Sequence, residues 1–280
     1  MNRKVQTGLA LVCAALLAAG GIAATALATA PRQPDPWADW STLRLHVKSG
    51  PFLSGRVEMR LDEDKGKTFF KTHTTARFLG ARVAQTRTTT LIDPATGRTE
   101  RYESYSKKRG RVYVFGQDGY FVEKLRPRAG SSRSDADWES YRRVEYAYPE
   151  DEDGLPVPVF DYYGMLLHLR RCALHEPGDE VLLHVATSSG PKPFRIRVGE
   201  SVSGPLSFTD LRSGERRTLD VHMLRLRVIP ADPGENDEGF LKMEGETELW
   251  VEAESKAVLL LSGKAPKIPG RIKLVLREIG

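Results

Sequence analysis

The chain has 280 residues, of which 40% are hydrophobic and 28% charged, with a formal net charge of +5. Those proportions describe a globular protein and exclude a chain too polar to bury a core. No long basic tract or aromatic–basic recognition motif accompanies the small positive charge, so no nucleic-acid partner is expected.

In chain order, Asn2-Arg3-Lys4 is a short basic start, followed by an uncharged run from Val5 to Ala30. The run contains two small-x-small exits, Ala26-Leu27-Ala28 and Ala28-Thr29-Ala30. A basic start, an apolar stretch and small residues at the exit are the parts of a secretory signal peptide, here 1–30. The alternative is an uncleaved N-terminal anchor, because roughly twenty apolar residues suffice to span a bilayer. The run is largely Ala, Gly and Thr, and Gly20-Gly21 interrupts any helix, which favours cleavage. Either way the chain is expected to be periplasmic or otherwise exported, touching a membrane only through this segment if it stays uncleaved. Cys13 follows Ala10-Leu11-Val12, which lacks the small residue a lipidation site needs. That leaves Cys172 alone in the exported part, with no intramolecular disulfide available.

Residues 31–41 form a Pro-rich tether, and 42–280 are expected to make one antiparallel β domain, with a possible internal boundary near 149–158. Apolar residues then alternate with polar ones at the period of half-buried strands. Leu43, Leu45 and Val47 point one way, as do Val57, Met59 and Leu61. Lys67–Leu79 is rich in Thr and Phe, and Thr86–Ile92 leads into Asp93-Pro94-Ala95-Thr96-Gly97, a turn sequence. Arg98–Lys107 returns as its partner. Lys107-Lys108-Arg109, the densest basic cluster, sits at the tip of the next hairpin. Val112–Phe115, Tyr120–Leu125 and Tyr141–Tyr148 are further strands, with 126–140 expected to be a loop. Basic residues outnumber acidic ones between Pro31 and Pro149, and the balance reverses from Glu150 onward.

One helix is expected, over Asp161–Arg171. Phe160 serves as a staple, Asp161 as the cap, and Tyr162, Met165, Leu166 and Leu169 recur at helical spacing. Strands follow at Val181–Thr187, Phe194–Val198, Val202–Phe208, Thr218–Ile229, Phe240–Glu252, Ala257–Leu261 and Ile272–Leu276. A single amphipathic helix among many strands must bury its apolar face against a sheet. The expected fold is therefore mainly β, a curved antiparallel sheet or open half-barrel with the helix on its concave side.

No nucleophile elbow, zinc-protease helix, C-x-x-C, P-loop or dinucleotide fingerprint is present. His46, His73, His168, His175, His184 and His222 are not spaced as a metal set, and no cofactor, metal or catalytic residue is assigned. Glu244, Glu246 and Glu248 alternate along one strand with Trp250 on the same face, and read as a solvent face.

Several segments together resemble a known family: Phe160-Asp161-Tyr162-Tyr163-Gly164-Met165-Leu166-Leu167-His168-Leu169-Arg170, Pro177-Gly178-Asp179, Lys192-Pro193-Phe194-Arg195-Ile196, Glu248-Leu249-Trp250-Val251-Glu252 and Gly270-Arg271-Ile272-Lys273-Leu274-Val275-Leu276, with Asp93-Pro94 and Thr96-Gly97 earlier. This cadence resembles the bacterial envelope family called domain of unknown function 3108. The chain departs from it after Asp161, where Tyr-Tyr-Gly stands in place of x-Leu-Ser. The resemblance implies an exported antiparallel β protein, similar to the open half-barrels that carry lipoproteins or lipids, and implies no enzyme activity. The function expected is that of a noncatalytic envelope protein binding an apolar or lipid-like ligand, such as an acyl chain, in a concave cavity lined by Tyr162, Met165, Leu166 and Leu169. The alternative is an envelope scaffold contacting another envelope protein; a hydrolase ranks behind both.

Overall fold

The structure, a computed structural model, describes residues 36–37, 40–48, 53–128, 137–232, 239–266 and 270–280. The expected signal peptide, most of the tether and the middle of the 126–140 segment lie outside these residues.

The first eight strands form an up-and-down meander: β1 (Thr42–Lys48), β2 (Leu53–Asp64), β3 (Lys67–Phe78), β4 (Ala81–Ile92), β5 (Thr99–Ser106), β6 (Gly110–Phe115), β7 (Gly119–Pro127) and β8 (Trp138–Ala147). Their alternation puts one face into the interior: Leu43, Leu45, Val57, Met59 and Phe70 are buried while their strand neighbours are not. Turn chemistry sets the corners. Asp93 accepts from the Ala95 amide and the Thr96 hydroxyl at 2.9 and 2.8 Å, and Gly97 takes the positive φ of 70° that closes the turn. The 126–140 segment is less of a loop than its polarity suggests. Strands β7 and β8 run into it from both sides, and the Arg128 amide still donates to the Asp137 carbonyl at 2.7 Å.

Strand β9 (Val159–Phe160) leads into the helix α1 (Tyr162–His168), which tightens into a 3₁₀ turn over Leu169–Arg171. Six strands follow: β10 (Glu180–Thr187), β11 (Gly190–Asp210), β12 (Arg216–Pro230), β13 (Glu244–Glu252), β14 (Val258–Lys264) and β15 (Arg271–Ile279). The two strands expected at Phe194–Val198 and Val202–Phe208 are one strand of 21 residues. The polar stretch Gly199-Glu200-Ser201 between them holds a bulge rather than a break, where the register with β12 shifts between Val198 and Glu200.

All fifteen strands among the described residues belong to one sheet, ordered β8-β7-β6-β5-β4-β3-β2-β1-β15-β14-β13-β12-β11-β10-β9. It is antiparallel except where β9 meets β10 and where Thr209 and Asp210 of β11 meet Glu278 and Ile279 of β15. That last contact closes β11 to β15 into a ring of strands, while the β1–β8 side ends in the edge strand β8. The chain is thus mainly β, a curved and almost wholly antiparallel sheet with α1 on its concave side. Among the described residues no helix is long and apolar enough to cross a membrane.

The convex face carries ion pairs. Arg227 holds Glu246 with two bonds of 2.8 and 2.6 Å, and Arg225 holds Glu248 at 2.7 Å. Glu248 also accepts from the Trp250 indole at 2.9 Å. Arg227 keeps the Glu246 carboxyl below the usual carboxylate range. A depressed carboxylate stabilises the fold above its unfolded-state pKa of about 4.3, and that contribution is lost as pH falls through the folded value. We predict that Glu246→Gln costs about 0.5 kcal/mol at pH 7, the scale of a partly exposed pair. The difference from wild type should vanish near pH 3 in urea titrations.

Candidate functional site

The four helical residues expected to line a cavity, Tyr162, Met165, Leu166 and Leu169, are all buried and belong to the main core. Their surroundings are packed aromatic rings. Tyr162 meets Phe240 edge-on at 5.5 Å, Phe240 meets Phe194 at 6.0 Å, and Phe70 lies 5.7 Å from Tyr163. Side chains in mutual contact leave α1 sitting on filled interior.

What positions α1 is Asp161. As the cap, its carboxylate accepts from the Tyr163 amide at 2.9 Å and the Gly164 amide at 3.2 Å. The same oxygens accept from the Thr90 and Thr99 hydroxyls, both at 2.9 Å, which belong to β4 and β5. The carboxylate is wholly buried, and burial pushes its pKa up against the opposing pull of these four donors. Gly164 completes the site: a Cβ there would stand 2.3 Å from the Thr99 hydroxyl oxygen. The far end is tied to the same hairpin. Arg171 donates to the Pro94 and Ala95 carbonyls at 2.8 and 3.2 Å, and Arg170 lies 5.0 Å over the Trp40 ring.

Beyond the helix, a second cluster joins the two ends of the sheet. Tyr102, Tyr113, Tyr120, Val122, Val159 and Ala186 are buried together, with Phe115, Tyr146 and Tyr148 packed against them. The Tyr146 hydroxyl donates to the Ser188 carbonyl at 2.9 Å, so β8 reaches the β10–β11 turn through a side chain. Two clefts of 430 and 250 Å³ flank this seam and share Gly116. Neither is lined by α1. The aromatic seam carries no periodic signal of its own in the sequence, because its tyrosines come from four strands, the segment just after β8 and the helix.

The histidines are dispersed. His168 stacks on Phe160 at 4.3 Å, and burial pulls its pKa down. His222 meets the Ser201 hydroxyl at 2.6 Å on an exposed surface. Among the described residues no group of three or more His, Cys, Asp or Glu stands close enough to hold a metal ion.

The fold and site thus define a half-barrel-like antiparallel β protein with a capped helix on its concave side. The chain belongs to the family described as Protein of unknown function (DUF3108), whose model matches residues 43–277. No curated protein matches. One solved structure is similar, a "Beta-barrel-like Protein of Domain of Unknown Function DUF1849 from Brucella abortus", with 12% identity, a TM-score of 0.48, and coverage of 85% of this chain and 95% of that one.

The geometry of Asp161 sets the cost of substitutions at and beside it. Asp161→Ala leaves two buried hydroxyls and two helix amides without an acceptor, and should cost about 3 kcal/mol or more in denaturant unfolding. Asp161→Asn should cost less, because it keeps one acceptor oxygen. Gly164→Ala should destabilise by about 2 kcal/mol through overpacking, although alanine is the better helix former. The pH dependence from Asp161 opposes that from Glu246. Its raised pKa makes its contribution most favourable below the unfolded value and diminishes it as pH rises through the folded one.

Proposed function

We propose that this chain is an exported, noncatalytic envelope β protein that holds an apolar or lipid-like ligand against the concave side of its sheet. The observation that carries the reading is the uneven filling of that side. Under α1 the interior is packed. Towards the β3–β4 and β5–β6 tips, the same face presents Thr74, Thr86, Ser104 and Ser106, small side chains that stay half-exposed. A trough floored by methyls and hydroxyls accepts an amphiphile alongside the helix without moving Tyr162, Met165, Leu166 and Leu169. Those four stay in the packed core and hold in place the helix that bounds the trough. Export rests on the composition of residues 1–30, and the noncatalytic reading on the scatter of ionisable groups just described.

The scaffold reading is favoured by one observation: β8 is a ten-residue edge strand, paired to β7 alone among the described strands. Its Arg142, Arg143 and Glu145 are charges of the kind that blunt an edge against pairing.

The test is native mass spectrometry with lipid extraction on protein isolated from its own envelope. A bound mass that extracts as lipid is the expected result. A clean apo mass that stays dry after incubation with envelope lipids would refute ligand holding and transfer the case to the edge strand.

A further inference from the structure

One row of residues crosses the concave face from strand to strand, each directly opposite the next. It runs Leu43, Met59, Thr72, Thr88, Ser104, Arg111, Lys124 and Arg142. The face is fixed by neighbours: Tyr102, Tyr113 and Val122, each two positions away along its strand, are in the buried cluster that Tyr163 of the helix joins. Side chains two apart on a strand share a face. The row therefore passes from apolar to hydroxyl to cationic, and ends with three cations side by side on β6, β7 and β8.

Like charges placed directly opposite each other across a ladder repel. Burial, together with Arg142 and Arg111, lowers the Lys124 pKa. Elsewhere this protein answers its arginines with carboxylates. Glu139 takes Arg126 at 2.6 Å, Asp137 takes Arg128 at 3.0 Å, Glu145 takes Arg143 at 2.9 Å and Glu103 takes Arg101 at 2.6 Å. The carboxylates near the row are thereby engaged, and Glu103 and Glu123 lie on the opposite face by register. Among the described residues neither Arg111, Lys124 nor Arg142 has a carboxylate or hydrogen-bond partner. Arg111 and Lys124 are half-buried and Arg142 is exposed, so the row opens to solvent at its β8 end. Lys107, Lys108 and Arg109 are exposed at the β5–β6 tip beside it and add to the same field.

We infer that Arg111, Lys124 and Arg142 form an anion site that takes a phosphate-type group, with the Ser104 hydroxyl as a neighbouring donor. Arginine supplies paired N–H donors matched to phosphate oxygens, and lysine a mobile point charge. The site rests on the proposed function and deepens it: the ligand is an amphiphile whose anionic head sits on this row while its apolar part lies along the Thr and Ser floor.

The test titrates the protein with three probes: dihexanoylphosphatidylglycerol, dihexanoylphosphatidylcholine of the same chain length, and inorganic phosphate. The anionic lipid is expected to bind about tenfold tighter than the zwitterionic one. Lys124→Gln and Arg142→Gln should each weaken it by about tenfold, while Lys124→Arg and the convex-face control Arg197→Gln should not. Lys124→Gln should also raise the urea midpoint by removing a repulsive contact, and a lowered midpoint would overturn the inference. Equal binding of both lipids, insensitive to the variants, would overturn the anion site and leave the apolar-ligand reading standing. Inorganic phosphate binding as tightly as the anionic lipid, with the same variant sensitivity, would support the site and refute the amphiphile. No binding by any probe would overturn both.

Discussion

The structure depends on one buried carboxylate. Asp161 sits without solvent between the start of the helix and two strands that precede it by 62 and 71 residues. Burying a charge is costly, and the cost is offset only by donors that arrive with good geometry. Here four of them do, two from the helix and two from threonine hydroxyls. The carboxylate thereby turns a local cap into a tertiary clamp. The glycine at 164 follows from that clamp, because the space a methyl would need is already occupied by the Thr99 hydroxyl and the carboxylate itself. With the helix fixed at this end and tied by Arg171 at the other, its apolar side chains have one place to go, the interior of the curved sheet.

The same sheet solves its closure in two ways. On the β11–β15 side, a short parallel contact joins backbone to backbone. On the other side the ends meet through side chains, with the phenol rings of Tyr120 and Tyr146 5.3 Å apart and their hydroxyls directed at the Thr187 and Ser188 carbonyls. An aromatic seam of this kind supplies buried area and hydrogen bonds without a complete ladder. It leaves β8 as an edge and leaves the neighbouring concave surface open, which gives the Thr, Ser and cation row its access.

Much of this was legible in the sequence, and the boundary of legibility has a physical meaning. Alternation exposed the strands, because each has one wet and one dry face, and the Asp161 cap and the Tyr162–Leu169 stripe were visible because capping and helical period are local. The clamp was not, since nothing in Thr90 or Thr99 marks them as partners of a distant carboxylate. Strand β11 looked like two strands because Gly199-Glu200-Ser201 is polar, and a polar stretch reads the same whether it bulges or turns. The cationic row was equally hidden. Arg111, Lys124 and Arg142 are separated in sequence, and only the register of two hairpins brings them together.

The distribution of rigidity decides how the concave side works. If the helix is clamped as described, it is a fixed wall, and the proposed ligand enters beside it. If it lifts, it is a lid over a site that the closed form hides. Amide hydrogen exchange separates the two most directly, by following the Tyr163 and Gly164 amides that donate to Asp161 against the Leu226 and Val228 amides in the core strand β12. The clamp predicts that both pairs exchange only through global unfolding, with matching free energies and matching denaturant dependence. Exchange at Tyr163 and Gly164 that is orders of magnitude faster and insensitive to denaturant would show a helix that opens on its own, and would contradict the clamp.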